Sequence, residues 1–546
     1  MESFYSELAG KIRSGIDKKS LTKIKLELCK KHRMKKIPTD IQILLNTNIK
    51  LTTKPARTGS GVAIIALMTK PFKCPHGKCI YCPGGPGSVF GNVPQSYTGN
   101  EPATMRGIRN KYDSYLQVFN RLEQYIVMGH VPEKVELIVM GGTFPSFPKT
   151  YRNSFVKYAF KAMNDFSGLF YKKGEFDIDK FKKFFELPGE VGDPKRVANI
   201  HRKLGRLKGK CMLQEEQKKN EKSKIRCVGL TIETRPDYAK LRQANEMLQL
   251  GATRVEVGVQ SVYDAVLKNI ERGHNVKDSI ESIRILKDLG LKINLHHMPG
   301  LPGLGTKKDL AGMKSLFSSQ DFRPDMMKIY PCMVLKGTKL YELWKNKKYN
   351  PLTTQQAAEL IAEFKKSVPK YVRIMRVQRD IPSCKVESGV KRTNLRQYIS
   401  EYMKKNRIRC NCIRCREPKN DALAGAKIIV EQYKASQGKE FFISAENKKN
   451  IFGFCRLRFP SQSLRPEITT DSALIRELHV YGSAAALGES GQIQHRGLGR
   501  KLLKKAEMIA RANKKKKMVV ISGVGVREYY RKHGYKKQGP YMVKAI

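Results

Sequence analysis

The chain has 546 residues, too many for one compact core, so its length favours two to four domains. Lysine and arginine number 105 against 49 aspartates and glutamates, which gives a formal net charge of +56. This imbalance excludes a surface made only of balanced ion-pair networks, because such networks need both signs. It favours a polyanionic partner, with nucleic acid as the first candidate and an acidic membrane surface as the second.

The sequence carries no visible signal for export or for a membrane span. Its first residues, MESFYSELAGKIRSG, place charges where a signal peptide has an apolar region, and its longest clean apolar run is VAIIALM. We therefore expect a cytoplasmic protein, or a nuclear one in a cell with a nucleus, that does not bind a membrane. Twelve cysteines in such a reducing compartment indicate metal chemistry before disulfides.

Composition and patterning divide the chain into four predicted parts. Residues 1–60 are basic and helix-patterned, with little core of their own, and are predicted to form an arm on the body or on a ligand. Residues 61–379 alternate short apolar strands with helices, and a charged, helix-prone stretch at about 166–224 looks like a basic insertion. Residues 380–420 form a cysteine-rich link, and residues 421–546 form a separate domain.

The second part has the pattern of a full or partial (β/α) barrel. Its predicted strands are VAIIALM, KVELIVMGG, RCVGLTIET, RVEVGVQS, KINLHHMPG and MMKIYP. The active site of such a barrel lies at the C-terminal ends of its strands, where the glycine-rich and polar segments fall. The predicted fold class is therefore α/β: a partial barrel fused to a mixed α/β domain, with a basic helical N-terminal arm.

Three cysteines, Cys74, Cys79 and Cys82, follow the first predicted strand in the segment CPHGKCIYCPGG. Four cysteines would close a structural zinc site or an electron-transfer cluster. Three cysteines that hold a 4Fe-4S cluster leave one iron open for a substrate or cofactor. The alternative is a structural zinc with a distant fourth ligand.

The cysteine loop resembles that of the radical S-adenosylmethionine (SAM) superfamily, which holds a 4Fe-4S cluster after the first barrel strand. An aromatic residue, here Tyr81, precedes the last cysteine, although the first gap is one residue longer than usual. The resemblance implies a SAM site: Gly141, Gly142 and Thr143 would bind the amino group, Glu233 the ribose, and Arg272 the carboxylate, with Gln260 beside them. The alternative for Arg272 is an ordinary surface arginine.

A second cofactor motif, QHRGLGRKLL, has the form Q-x-x-G-x-G at the start of a helix. Glycines let a backbone approach a ligand closely, and free amides at a helix N-terminus can bind a diphosphate. Alone, this could be an ordinary tight turn. With ELHVYGS before it and VREYYRKHGY after it, the segment resembles the acetyl-CoA-dependent N-acetyltransferase superfamily.

That second resemblance implies an acetyl-CoA site in the C-terminal domain. Tyr530 would be the acid that protonates the leaving thiolate and Tyr529 its packed neighbour, although the sequence leaves open which tyrosine points inward. The cofactor-binding residues would be Glu477, Leu478, His479 and Val480 along the pantetheine arm, and Gln494, Arg496, Gly497, Leu498, Gly499 and Arg500 at the diphosphate.

A third cysteine group, Cys410, Cys412 and Cys415, has the spacing C-x-C-x-x-C among basic residues. Such spacing fits a structural zinc with one remote ligand. Cys332 is the predicted fourth ligand and Cys384 the alternative. Three reduced surface thiols are the other interpretation.

Nearly the whole chain resembles the Elongator catalytic-subunit family, which modifies the wobble uridine of tRNA. The matching runs include CPGGPGS, QSYTGNEPATMR, CVGLTIETRPD and RELHVYGS. The resemblance implies that a SAM-derived radical takes hydrogen from the acetyl group of acetyl-CoA and that 5-carboxymethyluridine forms at position 34. It also implicates Lys134 in the use of acetyl-CoA. The implied partners are the tRNA anticodon stem-loop and an electron donor, while accessory subunits and a homodimer remain open.

Two other functions remain open at the level of sequence. A protein lysine acetyltransferase would use the C-terminal domain alone and would leave the cysteine loop idle or structural. A tRNA-binding scaffold with inactive sites is the non-enzymatic alternative. Neither explains why both cofactor motifs are present in one chain.

Overall fold

The computed structural model describes residues 2–11, 18–34, 37–47, 61–190, 192–418, 425–481 and 497–546. Three short helices come first, followed by a β/α barrel and then a second domain built on a mixed sheet. No helix among the described residues is both long enough and apolar enough to cross a membrane.

The N-terminal helices are α1 (Glu2–Lys11), α2 (Lys18–Lys31) and α3 (Asp40–Asn46). Their apolar side chains form a small cluster of their own, in which Phe4, Leu8 and Ile43 are fully buried. The carboxylate of Glu7 pairs with Lys31 at 2.7 Å. The sequence pattern predicted little core here, so this local cluster is a difference from that expectation.

Seven parallel strands form the first large sheet. The described strands at its two edges do not pair with each other, so the sheet is a partial barrel. In spatial order the strands are β1 (Val62–Met68), β4 (Lys134–Met140), β7 (Arg226–Thr234), β8 (Arg254–Gln260), β9 (Lys292–His297), β10 (Met326–Ile329) and β12 (Arg373–Arg376). Three small ribbons accompany them: β2 (Gly85–Ser88) with β3 (Gly91–Val93), β5 (Tyr171–Lys172) with β6 (Glu175–Phe176), and β11 (Val334–Leu335) with β13 (Val386–Ser388).

Helices cover the outside of the barrel. They are α4 (Pro102–Arg109), α5 (Ser114–Val127), α6 (Lys149–Phe170), α7 (Ile178–Phe184), α8 (Pro194–Lys208), α9 (Leu213–Asn220), α10 (Leu241–Gln249), α11 (Asp264–Asn269), α12 (Val276–Asp288), α13 (Thr306–Ser318), α14 (Lys339–Lys345), α15 (Thr354–Lys365) and α16 (Leu395–Lys405).

Side chains on β4 alternate because successive residues of a strand point to opposite faces. Val135, Leu137 and Val139 are buried in the core beneath the helices. Glu136 points the other way and accepts a hydrogen bond from Thr231 on β7 at 3.1 Å. The outer layer is therefore apolar, and the interior of the barrel carries charged groups.

The charged stretch at 166–224 has an aromatic core that joins the main one. Phe166, Phe170, Phe181 and Phe185 are fully buried and contact one another, with ring centroids 4.7 Å apart for the first two. Burying such rings contributes on the order of 2 kcal/mol each. This stretch therefore packs as part of the barrel's helical layer.

The C-terminal domain is a seven-stranded mixed sheet with one long helix. Its sheet order is β14-β15-β16-β17-β18-β20-β19. The elements are β14 (Lys427–Ala435), β15 (Gly438–Glu446), β16 (Ile451–Phe459), β17 (Ser472–Val480), α17 (Leu498–Ala512), β18 (Lys517–Val520), α18 (Arg527–Arg531), β19 (Lys536–Gln538) and β20 (Tyr541–Ala545). The fold class predicted from the sequence, a partial barrel fused to a mixed α/β domain, is confirmed.

Three fully buried arginines join the two domains: Arg456, Arg458 and Arg476. Arg476 pairs with Asp325 at 2.5 Å, just before β10, and Arg458 pairs with Asp288 at 2.6 Å, at the end of α12. These partners precede barrel strands, so the C-terminal domain packs against the N-terminal end of the barrel. The opposite end, where the strands finish, is the end that carries the cysteine loop.

Candidate active site

The cysteine loop leaves β1 and lies at the C-terminal end of the barrel. Cys79 and Cys82 are buried, and Cys74 is partly exposed. Burial raises the pKa of the Cys74 and Cys82 thiols, and the charges of the three cysteines act on one another. The structure thus brings together the three residues predicted to hold the cluster.

Polar groups surround these sulfurs. The guanidinium of Arg272 donates to the Cys79 sulfur at 3.6 Å and to the carbonyl oxygen of Gly258 at 2.8 Å. The ring of His76 contacts the same sulfur at 3.1 Å, and the hydroxyl of Thr143 lies 3.6 Å from the Cys74 sulfur. Arg272 is 8% exposed, so it is not the surface arginine that the sequence left open.

The glycines after β4 are required by close contacts. Gly141 has φ of +129°, and a Cβ there would lie 2.0 Å from the Thr69 hydroxyl. Gly142 has φ of +108°, and its Cβ would press on Gln95 at 3.1 Å. A side chain would be strained at both positions, so glycine is required at each, and Gly142 is part of the cavity wall described next.

An open cavity lies beside the cysteine loop and the glycine turn, and Cys74, Gly142 and Thr143 are part of its wall. Three buried polar groups on its wall have atoms without a hydrogen-bond partner: Gln260 Oε1, Arg272 Nε and Arg235 Nη1. Gln260 also has φ of +63°, which is uncommon for a residue with a side chain. Unsatisfied groups of both kinds, donor and acceptor, fit a polar ligand such as SAM, and the three thiols fit an iron–sulfur cluster with one open iron.

The floor of this cavity is a charged cluster that the sequence motifs identified only in part. Lys328 pairs with Glu256 and lies 3.7 Å from Glu233, the predicted ribose ligand. His296 contacts the same Glu256 carboxylate at 2.8 Å, and Tyr97 donates to Glu233 at 3.2 Å. Burial alone would lower the pKa of Lys328, but the Glu256 carboxylate raises it.

Sequence reasoning missed Lys328, Glu256, His296 and Tyr97 because each belongs to a different strand or loop. The signal available in the sequence was a charged residue at an inward position of an otherwise apolar strand, as in RVEVG and MMKIY. Glu233, Glu256 and His296 lie close enough together to hold a metal ion. The ammonium of Lys328 already lies against both carboxylates, so this site has its cation.

Charged groups continue from this floor down through the barrel. Arg254 on β8 pairs with Glu136 on β4 and lies 3.9 Å from Glu256. The charge of Glu136 in turn acts on the ring of His479, which belongs to the C-terminal domain. Polar side chains therefore lie along the interior of the barrel from the cavity floor to Glu136.

The acetyl-CoA motif lies at that lower end. β17 pairs with β18 only from Ser472 to Ile475, while β17 itself continues to Val480. The last residues of β17 therefore have one backbone edge that β18 does not use. This open edge includes Leu478, His479 and Val480, the residues predicted to lie along the pantetheine arm.

The glycine turn next to it has the geometry of an anion site. Gly497 has φ of +74°, and α17 begins at Leu498 without a side-chain cap. A Cβ on Gly499 would lie 3.0 Å from the Tyr529 hydroxyl and 3.8 Å from Val480. Arg500 lies in the first turn and is exposed. The predicted ligands Gln494 and Arg496 lie outside the described residues.

The two adjacent tyrosines of α18 have different surroundings. Tyr529 directs its hydroxyl at Gly499, has no hydrogen-bond partner there, and has its pKa raised by burial to about 12. Tyr530 packs in the core of the domain against Tyr535, with ring centroids 5.7 Å apart. The packing thus places Tyr529, not Tyr530, beside the glycine turn, while which tyrosine is the acid stays a prediction.

Glu477 and His479 also differ from a simple ligand role. The carboxylate of Glu477 accepts from Arg456 at 2.9 Å and lies 3.5 Å from Lys292, so its side chain is used in the domain interface. The ring nitrogen Nε2 of His479 is buried without a partner, and burial lowers the His479 pKa to about 4. A neutral imidazole is thus the ordinary state of His479.

Lys134 lies at the start of β4, opposite Val62 and Arg226. It is six residues before Met140, or about 20 Å along the strand from the cavity end. Arg226 contacts Gly525, just before α18. Lys134 therefore lies at the acetyl-CoA end of the barrel, and burial lowers its pKa.

The sulfurs of Cys410, Cys412 and Cys415 lie within 4.8 Å of one another. The ammonium of Lys365 donates to Cys415 at 3.5 Å. Cys332 is not part of this group: it is buried with Cys79 and Cys82 near the cavity, where burial raises its pKa to about 12. The predicted bridge through Cys332 is wrong because the end of β10 faces the opposite end of the barrel, and Cys384, the alternative, is not within ligand distance of the three sulfurs either.

Family models match almost all of the barrel and the second domain. The radical SAM superfamily matches residues 70–310, the radical SAM C-terminal domain matches residues 324–405, and the acetyltransferase (GNAT) family matches residues 408–535. The chain is thus a radical SAM barrel fused to a GNAT domain, the class that the fold and the two sites define.

Relatives identify the particular family. A tRNA uridine(34) acetyltransferase of Methanocaldococcus infernus is 46% identical over 91% of this chain and 88% of its own length. Elongator complex protein 3 of Schizosaccharomyces pombe is 40% identical over 96% of this chain and 94% of its own length. A solved structure, the archaeal Methanocaldococcus infernus Elp3 with an N-terminal deletion, aligns with a TM-score of 0.72 at 39% identity and covers 89% of this chain and 100% of that one. The chain belongs to the Elongator complex protein 3 family.

Proposed function

We propose that this chain is a tRNA uridine(34) acetyltransferase that uses SAM and acetyl-CoA to form 5-carboxymethyluridine at the wobble position. One observation carries the proposal. A cavity beside three cysteines and an acetyl-CoA-type strand and glycine turn lie at opposite ends of one barrel. The names of the relatives agree with this function.

In this proposal Cys74, Cys79 and Cys82 hold the cluster, and the cavity wall holds SAM. When bound, the cluster and SAM would supply the 5′-deoxyadenosyl radical that removes a hydrogen atom from the acetyl methyl group. Arg272 donates to a cluster sulfur and has a free Nε–H for the SAM carboxylate. The Gln260 amide and the loop from Gly141 to Thr143 would orient the rest of the molecule.

The cavity floor would fix the reacting groups and keep water out. Lys328 has an ammonium held between two carboxylates, so it can donate a hydrogen bond to a carbonyl oxygen without losing its own position. Tyr97 and His296 are fixed by the same carboxylates. Holding a base and an acyl group in register is the main contribution that a protein makes to such a reaction.

At the other end, the GNAT domain would bind acetyl-CoA and release CoA. The free edge of β17 can pair with pantetheine, and the amides from Gly497 onward can bind the diphosphate. Tyr529 would donate its proton to the leaving thiolate, because its hydroxyl is free and faces this site. The position of Lys134 at this end supports a role near acetyl-CoA rather than near SAM.

The net charge supports tRNA as the substrate. A formal charge of +56 favours binding to phosphates, and a wobble base must leave the anticodon stack to enter the cavity. We propose that the N-terminal segment and the helices around residues 166–224 take part in this contact. All twelve cysteines are free, which supports a reducing compartment such as the cytoplasm and an electron donor found there.

Zinc is a further proposed cofactor. Three clustered thiols are typical ligands of structural zinc, and Lys365 beside them offsets their negative charge. Among the described residues, the group has no fourth cysteine, histidine or carboxylate within the same distance. We propose a zinc site of three protein ligands, completed from outside this group.

The proposed activity is tested by anaerobic incubation of reconstituted protein with tRNA, SAM, acetyl-CoA and dithionite. Mass spectrometry of the digested tRNA should detect 5-carboxymethyluridine with the wild-type chain and none with Cys79→Ala. Unmodified tRNA together with acetyl-lysine on a protein would instead favour a lysine acetyltransferase. Unmodified tRNA with no acetyl transfer at all would favour a binding scaffold.

A further inference from the structure

The first strand of the GNAT sheet, β14, is an edge strand with exposed apolar residues on both faces. Its only strand partner among the described residues is β15. Ile428, Ile429 and Val430 are 39%, 45% and 38% exposed. Long apolar edges are normally shortened, charged throughout or covered, because they can pair with another strand.

The C-terminal half of β14 is held against the barrel, whereas its N-terminal half is not. Tyr433 stacks on Tyr371 with ring centroids 4.0 Å apart, and the Lys434 carbonyl oxygen accepts from Arg323 at 2.7 Å. From Lys427 to Val430 the strand is exposed on every side except the one paired with β15. The available edge is therefore the segment from Lys427 to about Gln432.

The hairpin fixes which backbone groups this edge offers. β14 and β15 are joined by the two-residue turn Ser436–Gln437, and Ala435 is paired with Gly438. In such a hairpin the closing pair is hydrogen-bonded, so every second residue back along β14 bonds to β15. The residues between them, Ile428, Val430 and Gln432, direct their N–H and C=O groups outward.

Only some self-pairings of this edge can use those outward groups. An antiparallel pairing of two β14 strands must place even-numbered residues opposite even-numbered ones. Centred on Ile429, it places Ile428 opposite Val430 of a second copy, and Lys427 opposite Glu431 of that copy, twice by symmetry. A pairing centred on Ile428 places Glu431 opposite Gly425, and a pairing centred on Val430 places Glu431 opposite Ile429. Neither register gives Glu431 an opposite charge.

The Ile429-centred register is complementary in charge and in apolar contact. Lys427 and Glu431 would form non-hydrogen-bonded pairs, in which side chains are closest. Glu431 is half-buried, and burial raises its pKa, so an opposite charge would stabilise its ionised form. An edge selected against self-pairing would carry like charges at these positions.

We propose that two copies of this chain dimerise by antiparallel pairing of their β14 edges, centred on Ile429, into one continuous sheet. The contact is isologous, as in most homodimers. Its area is small, so we expect a dissociation constant of about micromolar. The proposal does not depend on the reaction proposed above.

Sedimentation velocity measures the mass of the full chain at protein concentrations from about 1 to about 100 µM, a range that includes the expected dissociation constant. Salt of about 0.3 M limits repulsion between two chains of charge +56. The wild type should shift from the mass of one chain to the mass of two. Glu431→Lys and Ile429→Lys should each weaken association about tenfold or more, because each sets lysines opposite one another.

The double variant Lys427→Glu, Glu431→Lys restores the opposite charges and should recover the dimer. Lys434→Glu is the matched control, because this register gives Lys434 no partner within β14, and it should dimerise like the wild type. Deuterium exchange should show concentration-dependent protection of the peptide that contains Ile428 and Val430.

A chain that stays monomeric at every concentration would overturn the proposal and would indicate that the edge binds a different protein. A dimer unaffected by Glu431→Lys, or not recovered by the double variant, would also overturn it.

Discussion

At the scale of single residues, Tyr529 and Tyr530 are neighbours in sequence but face different surroundings. Both lie on α18, and consecutive helical residues point about 100° apart, so only one can face the glycine turn. The sequence contains the pair but not its orientation, because orientation depends on where α18 packs. The unpaired hydroxyl of Tyr529 lies next to Gly499, and for this reason we propose Tyr529 as the proton donor.

We expect Tyr529→Phe to slow CoA release by about 10²-fold or more, because the ring stays while the proton donor is lost. Tyr530→Phe is the matched control and should release CoA at close to the wild-type rate. The measurement is thiol release from acetyl-CoA in the presence of tRNA. Equal losses in both variants, or a loss only in Tyr530→Phe, would argue against Tyr529.

A second residue-scale prediction concerns Glu477 at the domain interface. Burial alone would raise its pKa, but Lys292 and Arg456 lower it to about 2 from an ordinary value of 4.5. A carboxyl whose pKa is lowered by folding stabilises the fold above its unfolded pKa and loses that contribution as pH falls. The contribution is about 3 kcal/mol at neutral pH.

Glu477→Gln should therefore lower the free energy of unfolding at pH 7, and the gap from the wild type should shrink between pH 4.5 and pH 2. Urea denaturation at several pH values measures both chains. A gap that stays constant across this range would show that the charge of Glu477 does not stabilise the interface.

At the scale of elements, the sequence motifs predicted each local site but not every long-range partner. The cysteine loop after β1 and the glycine turn after β4 were predictable, because strand, spacing and glycine occur together in the sequence. Cys332 was assigned to the wrong cysteine group because neighbours in space that are distant in sequence depend on which end of the barrel a strand reaches. Lys328 and Glu256 were not identified because an inward position is defined only once strand register is known.

The cysteine groups give a prediction at this scale. Cys412→Ala should lose bound zinc, measured by plasma mass spectrometry of protein purified without chelators. Cys332→Ala should keep its zinc, because Cys332 lies with Cys79 and Cys82 instead. Zinc lost from both variants would restore Cys332 as a ligand, and zinc absent from the wild type would leave the group as free thiols.

At the scale of the whole molecule, one barrel places two candidate cofactor sites at its opposite ends. The cysteine loop and its cavity lie where the strands end, and the GNAT domain packs where they begin. β4 spans about 20 Å between these ends. The charged row from Glu136 through Arg254 to Glu256 fills the interior between them.

This arrangement explains why the two domains share one chain. A GNAT domain that worked alone would have no need of a barrel with a second cavity, and a radical site that worked alone would have no source of acetyl groups. The buried arginines of the interface hold the two parts in a fixed relation. The central claim is therefore that the acetyl group bound at one end is the group that reacts at the other.

The most direct test of that claim follows hydrogen from acetyl-CoA to 5′-deoxyadenosine. The reconstituted chain is incubated with tRNA, SAM, dithionite and acetyl-CoA deuterated at the methyl group, and the 5′-deoxyadenosine is analysed by mass spectrometry. We predict deuterium in 5′-deoxyadenosine from the wild type and none from Gly499→Arg, whose side chain would fill the space next to Tyr529. Unlabelled 5′-deoxyadenosine from the wild type, formed while deuterated acetyl groups appear on protein lysines, would contradict the claim.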